Sequence, residues 1–363
     1  MANRGATAPS VARSHGIHSE ASSLKQSNAD TVSQSGTAAM SLITVGLPVY
    51  NSMPYLRESV NSLLSQTVND FKMLAVVDDS DDGSVEYMES LKDSRLRVLR
   101  QPKSGLTPAL NRMLDEVETP WLVRQDADDV SYPTRMEKLL DAIRRYPDAG
   151  MVSSLAEYYP PNRSLGTFRC SRGTPAQFRN IVKSGYLLTF CHSSVALNVP
   201  RIRSLGGFRE NVPVEDADLW WRVALEFDIY LLPEKLVGYR HHPAQSINES
   251  KVQIVGLLYV QYLLLSHLWG LCPQPKDRIY PILSGFVSDK SSSAKDLLRQ
   301  VNIDLAANQY LHAIVSFVRA CFASPTYVTK RLRDEIWPGR NIANGLKPEL
   351  FLAYRSELWP DKS

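Results

Sequence analysis

Residues 41–232 alternate short apolar runs with stretches whose apolar side chains recur every three or four positions. The run 42–47 (LITVGL) is continuous and rich in β-branched residues, the pattern of a strand covered on both faces. Pro48-Val49-Tyr50-Asn51-Ser52 breaks it, and Leu56, Val60, Leu63 and Leu64 then fall on one face of a helix over 55–66. The same alternation predicts strands over 71–77, 96–100, 121–124 and 150–154, and helices over 85–92, 107–117 and 135–146. Residues 158–172, with Pro160-Pro161, read as a loop, 195–198 and 229–232 as strands, and 216–226 as a helix. From about Lys251 the texture is helical, including 293–302 and 305–321. There is no internal repeat.

Strands separated by helices imply an α/β fold with a mostly parallel sheet covered on both faces. Right-handed crossovers bring the strands' carboxyl ends to one edge, and ligands of such sheets bind outside that edge. Polar punctuation follows three of the strands: Tyr50 and Asn51, then Asp78 and Asp79, then Asp126 and Asp128. Three distant stretches are thus expected to converge on one crevice.

Composition narrows the class. Of 363 residues, 44% are hydrophobic and 22% charged, as in an ordinary globular protein. The formal net charge of +3, with no block of like charges, argues against a nucleic-acid partner. Cys170, Cys191, Cys272 and Cys321 form no CxxC pair and are expected to be reduced, buried thiols of a cytosolic protein. Residues 1–40 are rich in Ser, Ala, Asn and Gln without an apolar stretch, and read as a flexible leader rather than a secretory signal. The run 254–272 (IVGLLYVQYLLLSHLWGLC) is near the length of a membrane span. It reads as a buried helix, with peripheral membrane contact as the alternative. The expected location is the cytoplasm, or the inner face of a membrane.

Three clusters carry candidate chemistry. Asp126-Ala127-Asp128-Asp129 crowds carboxylates that repel one another unless a divalent cation sits among them. Mg²⁺ or Mn²⁺ takes one or two carboxylates and lets substrate phosphates complete the shell. Glu215-Asp216 and Asp218 open a helix. They either cap it or supply a general base that takes the proton of an attacking hydroxyl. In Tyr239-Arg240-His241-His242, neighbouring histidines on a strand face opposite ways, so at most one enters a given site. Arg240 suits diphosphate oxygens.

These motifs together resemble the family 2 glycosyltransferases of the GT-A fold. Val45-Gly46-Leu47-Pro48-Val49-Tyr50-Asn51 is similar to the family's first strand and PVYN turn. Ser65-Gln66-Thr67 is similar to its SQT, and Val77-Asp78-Asp79-Ser80-Asp81-Asp82-Gly83-Ser84 to its VDDGSTDGT, one residue shorter here. Gly105-Leu106 and Ala109-Leu110-Asn111 resemble the segment that closes over the nucleotide, and Asp126-Ala127-Asp128 the DxD motif. Gly206-Gly207-Phe208 with Glu215-Asp216 resembles GGF…ED, Trp220-Trp221-Arg222 its continuation, and the segment through Ser246 the RxHP element. The resemblance implies a catalytic domain over 41–250 and inversion in a single displacement. It implies a donor site from Pro48, Val49, Tyr50, Asn51, Asp79, Gly105, Asn111, Asp126 and Ala127, with Asp79 on the base and Asp126 near the ribose. Asp128 and His242 would hold the metal, and Asp216, beside Glu215, would be the catalytic base. The partners implied are a nucleotide-sugar donor, with UDP favoured, and a hydroxyl acceptor such as a saccharide, a lipid-linked saccharide or a protein. The helical extension over 251–363 matches no pattern of the family. A nucleotidyltransferase would show a glycine-rich signature where Pro48-Val49-Tyr50-Asn51 stands, and a dinucleotide-dependent dehydrogenase would show GxGxxG. A non-catalytic sugar- or nucleotide-binding protein would lack some of these carboxylates.

Overall fold

The computed structural model describes residues 41–164, 166–242, 250–336 and 342–360. The leader expected over 1–40, and Pro243 to Ser246 of the RxHP-like segment, lie outside the described residues. The chain begins with β1 (Ile43–Val49), α1 (Leu56–Leu64), β2 (Lys72–Asp78), α2 (Ser84–Ser90), β3 (Leu96–Gln101), α3 (Leu106–Glu116) and β4 (Trp121–Arg124). It continues with β5 (Val130–Ser131), α4 (Arg135–Arg145), β6 (Ala149–Tyr159), α5 (Pro175–Lys183), β7 (Val195–Asn198), α6 (Val199–Ser204), α7 (Glu215–Glu226) and β8 (Asp228–Arg240). Helices α8 (Ser250–Leu268), α9 (Lys276–Ser284), α10 (Asp289–Ala306), α11 (Tyr310–Ala323), α12 (Pro325–Ile336) and α13 (Pro348–Ala353) follow.

All eight strands form one sheet in the order β3-β2-β1-β4-β7-β6-β8-β5. The pairs β3–β2, β2–β1 and β1–β4 are parallel, as is β6–β8. The expectation of carboxyl ends on one edge therefore holds for the first four strands. It fails at β7, which runs antiparallel to both β4 and β6, and at β5, which is antiparallel to β8. The sheet is mixed because β7 enters between two strands already fixed by α4 and closes the gap in reverse.

Burial explains the strand texture. Every residue of β4 is buried, and in β1 only Pro48 is partly open, so neither strand shows polar alternation. One core lies between the sheet and α3, α5, α7 and α8, with Leu110, Phe178, Phe190 and Trp220 among its buried side chains. A second lies on the opposite face under α1 and α4, around Leu63, Phe71, Trp121 and Leu139. On the first face, a Cβ at Gly46 would sit 2.8 Å from Leu122 Cδ1, so any larger residue there would have to displace a core side chain.

Three expectations are corrected. Strands β6 and β8 run to Tyr159 and Arg240, well past the predicted 154 and 232, so the loop expected at 158 begins later. The helix predicted over 305–321 is two, because α10 ends at Ala306 and Asn308 takes a positive φ before α11. Cys170 and Cys191 are buried as expected, but Cys272 is exposed. Between Ile254 and Leu271 no Ile, Val, Leu, Tyr or Trp side chain is exposed, so the run singled out for membrane contact is an internal helix.

Leu110→Ala, which empties a fully buried position between α3 and the sheet, is expected to cost about 2–5 kcal/mol. A urea titration should show a lower midpoint with an unchanged slope.

Candidate active site

The carboxyl ends of β1, β2 and β4 bring the polar punctuation together. Asp78, the last residue of β2, is buried. Its carboxylate accepts from Gln101 Nε2 at 2.6 Å, Ser104 N at 3.0 Å and Gly105 N at 2.9 Å. Gly105 takes φ +93°, open only to glycine at low cost, and so aims its N–H at Asp78. Opposite, Asn51 N donates to Ser80 Oγ at 3.1 Å and Asn51 Oδ1 accepts from Asp81 N at 3.1 Å, lacing the turn after β1 to the turn after β2. Tyr50 is exposed, with Lys103 Nζ 2.5 Å from its hydroxyl. Asp79 is exposed and faces Arg100 at 3.7 Å. Pro48 and Val49 end β1, with Val49 buried.

The acid loop after β4 rests on two buried guanidinium groups. Arg124 Nη2 meets Asp126 Oδ1 at 2.5 Å. Arg135 donates to Gln125 Oε1 at 2.6 Å, Ser131 Oγ at 2.7 Å, the Arg124 carbonyl at 2.7 Å and the Ser193 carbonyl. Ser193 Oγ accepts from Asp126 N at 2.9 Å and donates to Asp126 Oδ2 at 2.8 Å. Burial alone would raise the Asp126 pKa, but Arg124, with the Ser193 hydrogen bond, holds this carboxyl below its usual range. Asp129 is buried and accepts from Arg240 N at 2.9 Å. Burial and the charges of Asp128 and Asp126 push its carboxyl well up. Ala127 is buried between these acids.

Asp128 Oδ2 lies 2.9 Å from His242 Nε2. The His242 ring is buried against Tyr55, centroids 4.2 Å apart. His241, just past the end of β8, turns the other way, onto Tyr158 and Tyr239. Arg240 donates from Nε to the Asp128 carbonyl at 2.8 Å, pairs with Glu58, and lies between the Tyr55 and Tyr159 rings at 5.0 and 4.8 Å. Its guanidinium, expected toward diphosphate, thus braces the acid loop.

The second acid pair opens α7. Asp216 Oδ1 accepts from Ala217 N at 2.6 Å, and burial pushes the Asp216 carboxyl up to about 6 despite that bond. Burial and then the Asp216 charge push Glu215 up to about 8. Glu215 Oε1 lies 3.7 Å from His192 Nδ1. Burial, followed by Arg124, lowers His192 to about 3, so this imidazole stays neutral. Asp218 is turned inward, bound by Arg222 at 2.8 Å and Arg209 at 3.3 Å. Asn111 serves a neighbouring turn: its Nδ2 donates to the Phe208 carbonyl and its Oδ1 accepts from Phe208 N, both at 2.9 Å.

Sequence reasoning missed Arg124, Arg135, His192 and Ser193. No local pattern marks Ser193, because its contact with Asp126 spans 67 positions. Helix α5 was also missed, although Thr174-Pro175-Ala176-Gln177 is a capping box with proline at its first position.

Replacing Asn111 with Ala should destabilise the fold by about 1–3 kcal/mol by leaving the buried-side Phe208 N–H and carbonyl without partners. Urea unfolding measures this, and unchanged stability with weakened donor binding would instead give Asn111 a direct donor contact.

The comparisons with known proteins point one way. The Glycosyl transferase family 2 model matches residues 44–199. The putative glycosyltransferase EpsE of Bacillus subtilis is 28% identical over 217 residues, covering 54% of this chain and 72% of EpsE. An uncharacterized glycosyltransferase of Rickettsia conorii is 24% identical over 209 residues, but this chain spans only 35% of it. Glycosyltransferase GlyG of Streptococcus pneumoniae is 32% identical over 130 residues, 35% of this chain and 42% of GlyG. Among solved structures, S. aureus TarS 1-349 in complex with UDP-GlcNAc shares the fold at a TM-score of 0.51 and 14% identity, over 82% of this chain and 91% of that one. The match at 44–199 takes in the acid loop and the serine that holds it; over this stretch the chain is similar to the family 2 glycosyltransferases, and its fold is the GT-A fold.

Proposed function

We propose that this chain is an inverting transferase that moves the sugar of a nucleotide-diphosphate sugar onto a hydroxyl acceptor, in polysaccharide, lipopolysaccharide or other glycoconjugate synthesis. The observation that carries this reading is the unequal pair at the start of α7. With Asp216 raised to about 6 and Glu215 to about 8, Asp216 is ionised at neutral pH while Glu215 keeps its proton. Two neighbouring carboxyls driven to different protonation states are the signature of assigned acid–base roles. Asp216 takes the acceptor proton as the acceptor oxygen bonds to the anomeric carbon and the bond to the diphosphate oxygen breaks. A single displacement of this kind inverts the centre, and the negative Asp216 also favours its oxocarbenium character.

Asp128 and His242 fit a divalent cation. Neighbouring donors on an octahedral ion with bonds of about 2.1 Å stand about 3 Å apart, and these two stand 2.9 Å apart. One carboxylate and one imidazole leave room for diphosphate oxygens, and the imidazole favours Mn²⁺ over Mg²⁺. The bound cation supplies a Lewis acid for the charge that gathers on the departing diphosphate. Pro48, Val49, Tyr50, Asn51, Asp79 and Gly105 border the region assigned to the base. Asp126, fixed by Arg124 and Ser193, is the rigid carboxylate assigned to the ribose. The UDP-GlcNAc of the TarS complex makes a UDP-sugar the first donor to test.

The deciding experiment is donor hydrolysis against a panel of nucleotide sugars with Mn²⁺, Mg²⁺ or EDTA. EDTA-sensitive release of one nucleoside diphosphate is expected, and Asp128→Ala should abolish both this release and Mn²⁺ binding by calorimetry. Metal-independent turnover would remove Asp128 and His242 from the site. Asp216→Asn should lower kcat by about 10²–10⁴-fold with donor affinity retained. In the parent enzyme kcat/KM should fall as pH drops through about 6, where Asp216 becomes protonated. A profile without that acid limb would take the base role from Asp216.

A further inference from the structure

Helix α11 wears its amphipathicity outward. Its buried residues are the small Ala313, Ser316 and Ala320. Ser316 Oγ donates to Asp304 of α10 at 3.2 Å, which fixes this face inward. The large apolar side chains point away: Tyr310, Leu311, Ile314, Val315, Val318 and Phe322 are all exposed, Leu311 by 79% and Phe322 by 85%. Single exposed apolar residues are ordinary, but six on one 14-residue helix form a patch that marks an interaction surface.

The charge around the patch selects the partner. From Leu305 to Arg333 the sequence contains no Asp or Glu, while it carries Arg319, Lys330, Arg331 and Arg333; Asp334 and Glu335 follow at the end of α12. Arg319, Lys330 and Arg333 are exposed, whereas Arg331 reaches inward to the Tyr158 hydroxyl at 3.0 Å. An exposed apolar helix beside a net cationic stretch fits a surface that is apolar beneath and negative at its boundary, namely an anionic lipid bilayer. Two copies meeting through the same face would bring together helices whose one formal charge is the cation Arg319, with no acid on α11 to offset it. At about 1.5 Å per residue, 14 residues cover about 21 Å, short of the roughly 30 Å hydrocarbon core, so the helix lies along the surface rather than crossing.

We infer that α11, with the cations of α11 and α12, docks this protein onto anionic membrane, with the helix in the plane of the interface. The surface is coupled to the site, because Arg299 of α10, on which α11 packs, donates to the His242 carbonyl at 3.1 Å. A membrane seated on α11 would therefore hold the acid loop at a fixed distance from lipid.

The test needs neither donor nor acceptor, so its failure is separate from failure of the transferase reading. The full chain is sedimented with vesicles of equimolar phosphatidylcholine and phosphatidylglycerol, and with pure phosphatidylcholine, while light scattering reports its mass in solution. Binding to the anionic vesicles is expected, and should weaken as salt screens the charges. Leu311→Ser with Phe322→Ser, both at exposed positions, should reduce it by about tenfold or more. Arg319→Gln with Lys330→Gln should reduce it by about twenty-five-fold, at roughly a factor of five per charge. No vesicle binding by the full chain overturns the inference, as does binding unchanged in the Leu311/Phe322 variant. A dimer that dissociates in that variant, without vesicle binding, would make the face a self-association surface instead.

Discussion

The site depends on two buried arginines beneath a loop of acids. Arg124 and Arg135 are fully buried, and a buried guanidinium is costly unless its donors are met. Here Arg135 fixes the backbone on both sides of the crevice, at Arg124 and Ser193, together with the Gln125 side chain. Arg124 then offers its charge to Asp126. Removing Arg124 would take away the guanidinium paired with Asp126, leaving Arg135 beneath the loop and Arg240 at its edge to offset the repulsion among the acids. The direction of the Asp126 shift, downward despite burial, is the electrostatic trace of that support.

The same field divides the acids by function. Asp126, in contact with Arg124, stays charged, while Asp129, buried behind Asp128, is pushed toward the neutral form. Farther from Arg124, burial dominates at Glu215 and Asp216, and the two separate because Glu215 also feels the Asp216 charge. His192 lies between the groups and stays neutral, since protonation would place a third cation beside Arg124 in a dry site. The order of protonation thus follows from burial, from the neighbouring carboxylates and, at Asp126, from contact with one guanidinium.

How much of this was legible in the sequence follows from the range of each interaction. The strands β1 to β4 and the helices between them were readable because their burial is uniform and imposes a local period. The acid loop and the α7 carboxylates were readable as chemistry that needs a partner. Beyond Ser154 the reading stopped short, because β6 and β8 continue through residues with little apolar alternation. Pro233, Glu234 and Lys235 sit inside β8, and the pairing survives there by shifting register near Leu155. Ser193 and Arg135 were invisible because their roles exist only once β7 has come to lie beside β4. Asn111 was legible as a marked residue, but its amide turned out to clasp the Phe208 backbone, a contact across 97 positions.

The helical extension shows why apolarity alone misleads. Helices α8 and α11 are both apolar, and α8 is the longer. Yet α8 lies between α7 on one side and α9 and α13 on the other, which cover its apolar side chains from Ile254 onward. A helix of that kind leaves no large apolar face open, whatever its length. In α11 the fully buried positions are small residues and only Phe317 of the large ones is half-buried, so packing on α10 leaves most of the large ones outside. Evicting Leu311 or Phe322 from water would require a surface that the described residues do not provide. The decisive variable is therefore which residue sizes face the neighbouring helix, and sequence hydropathy averages that away.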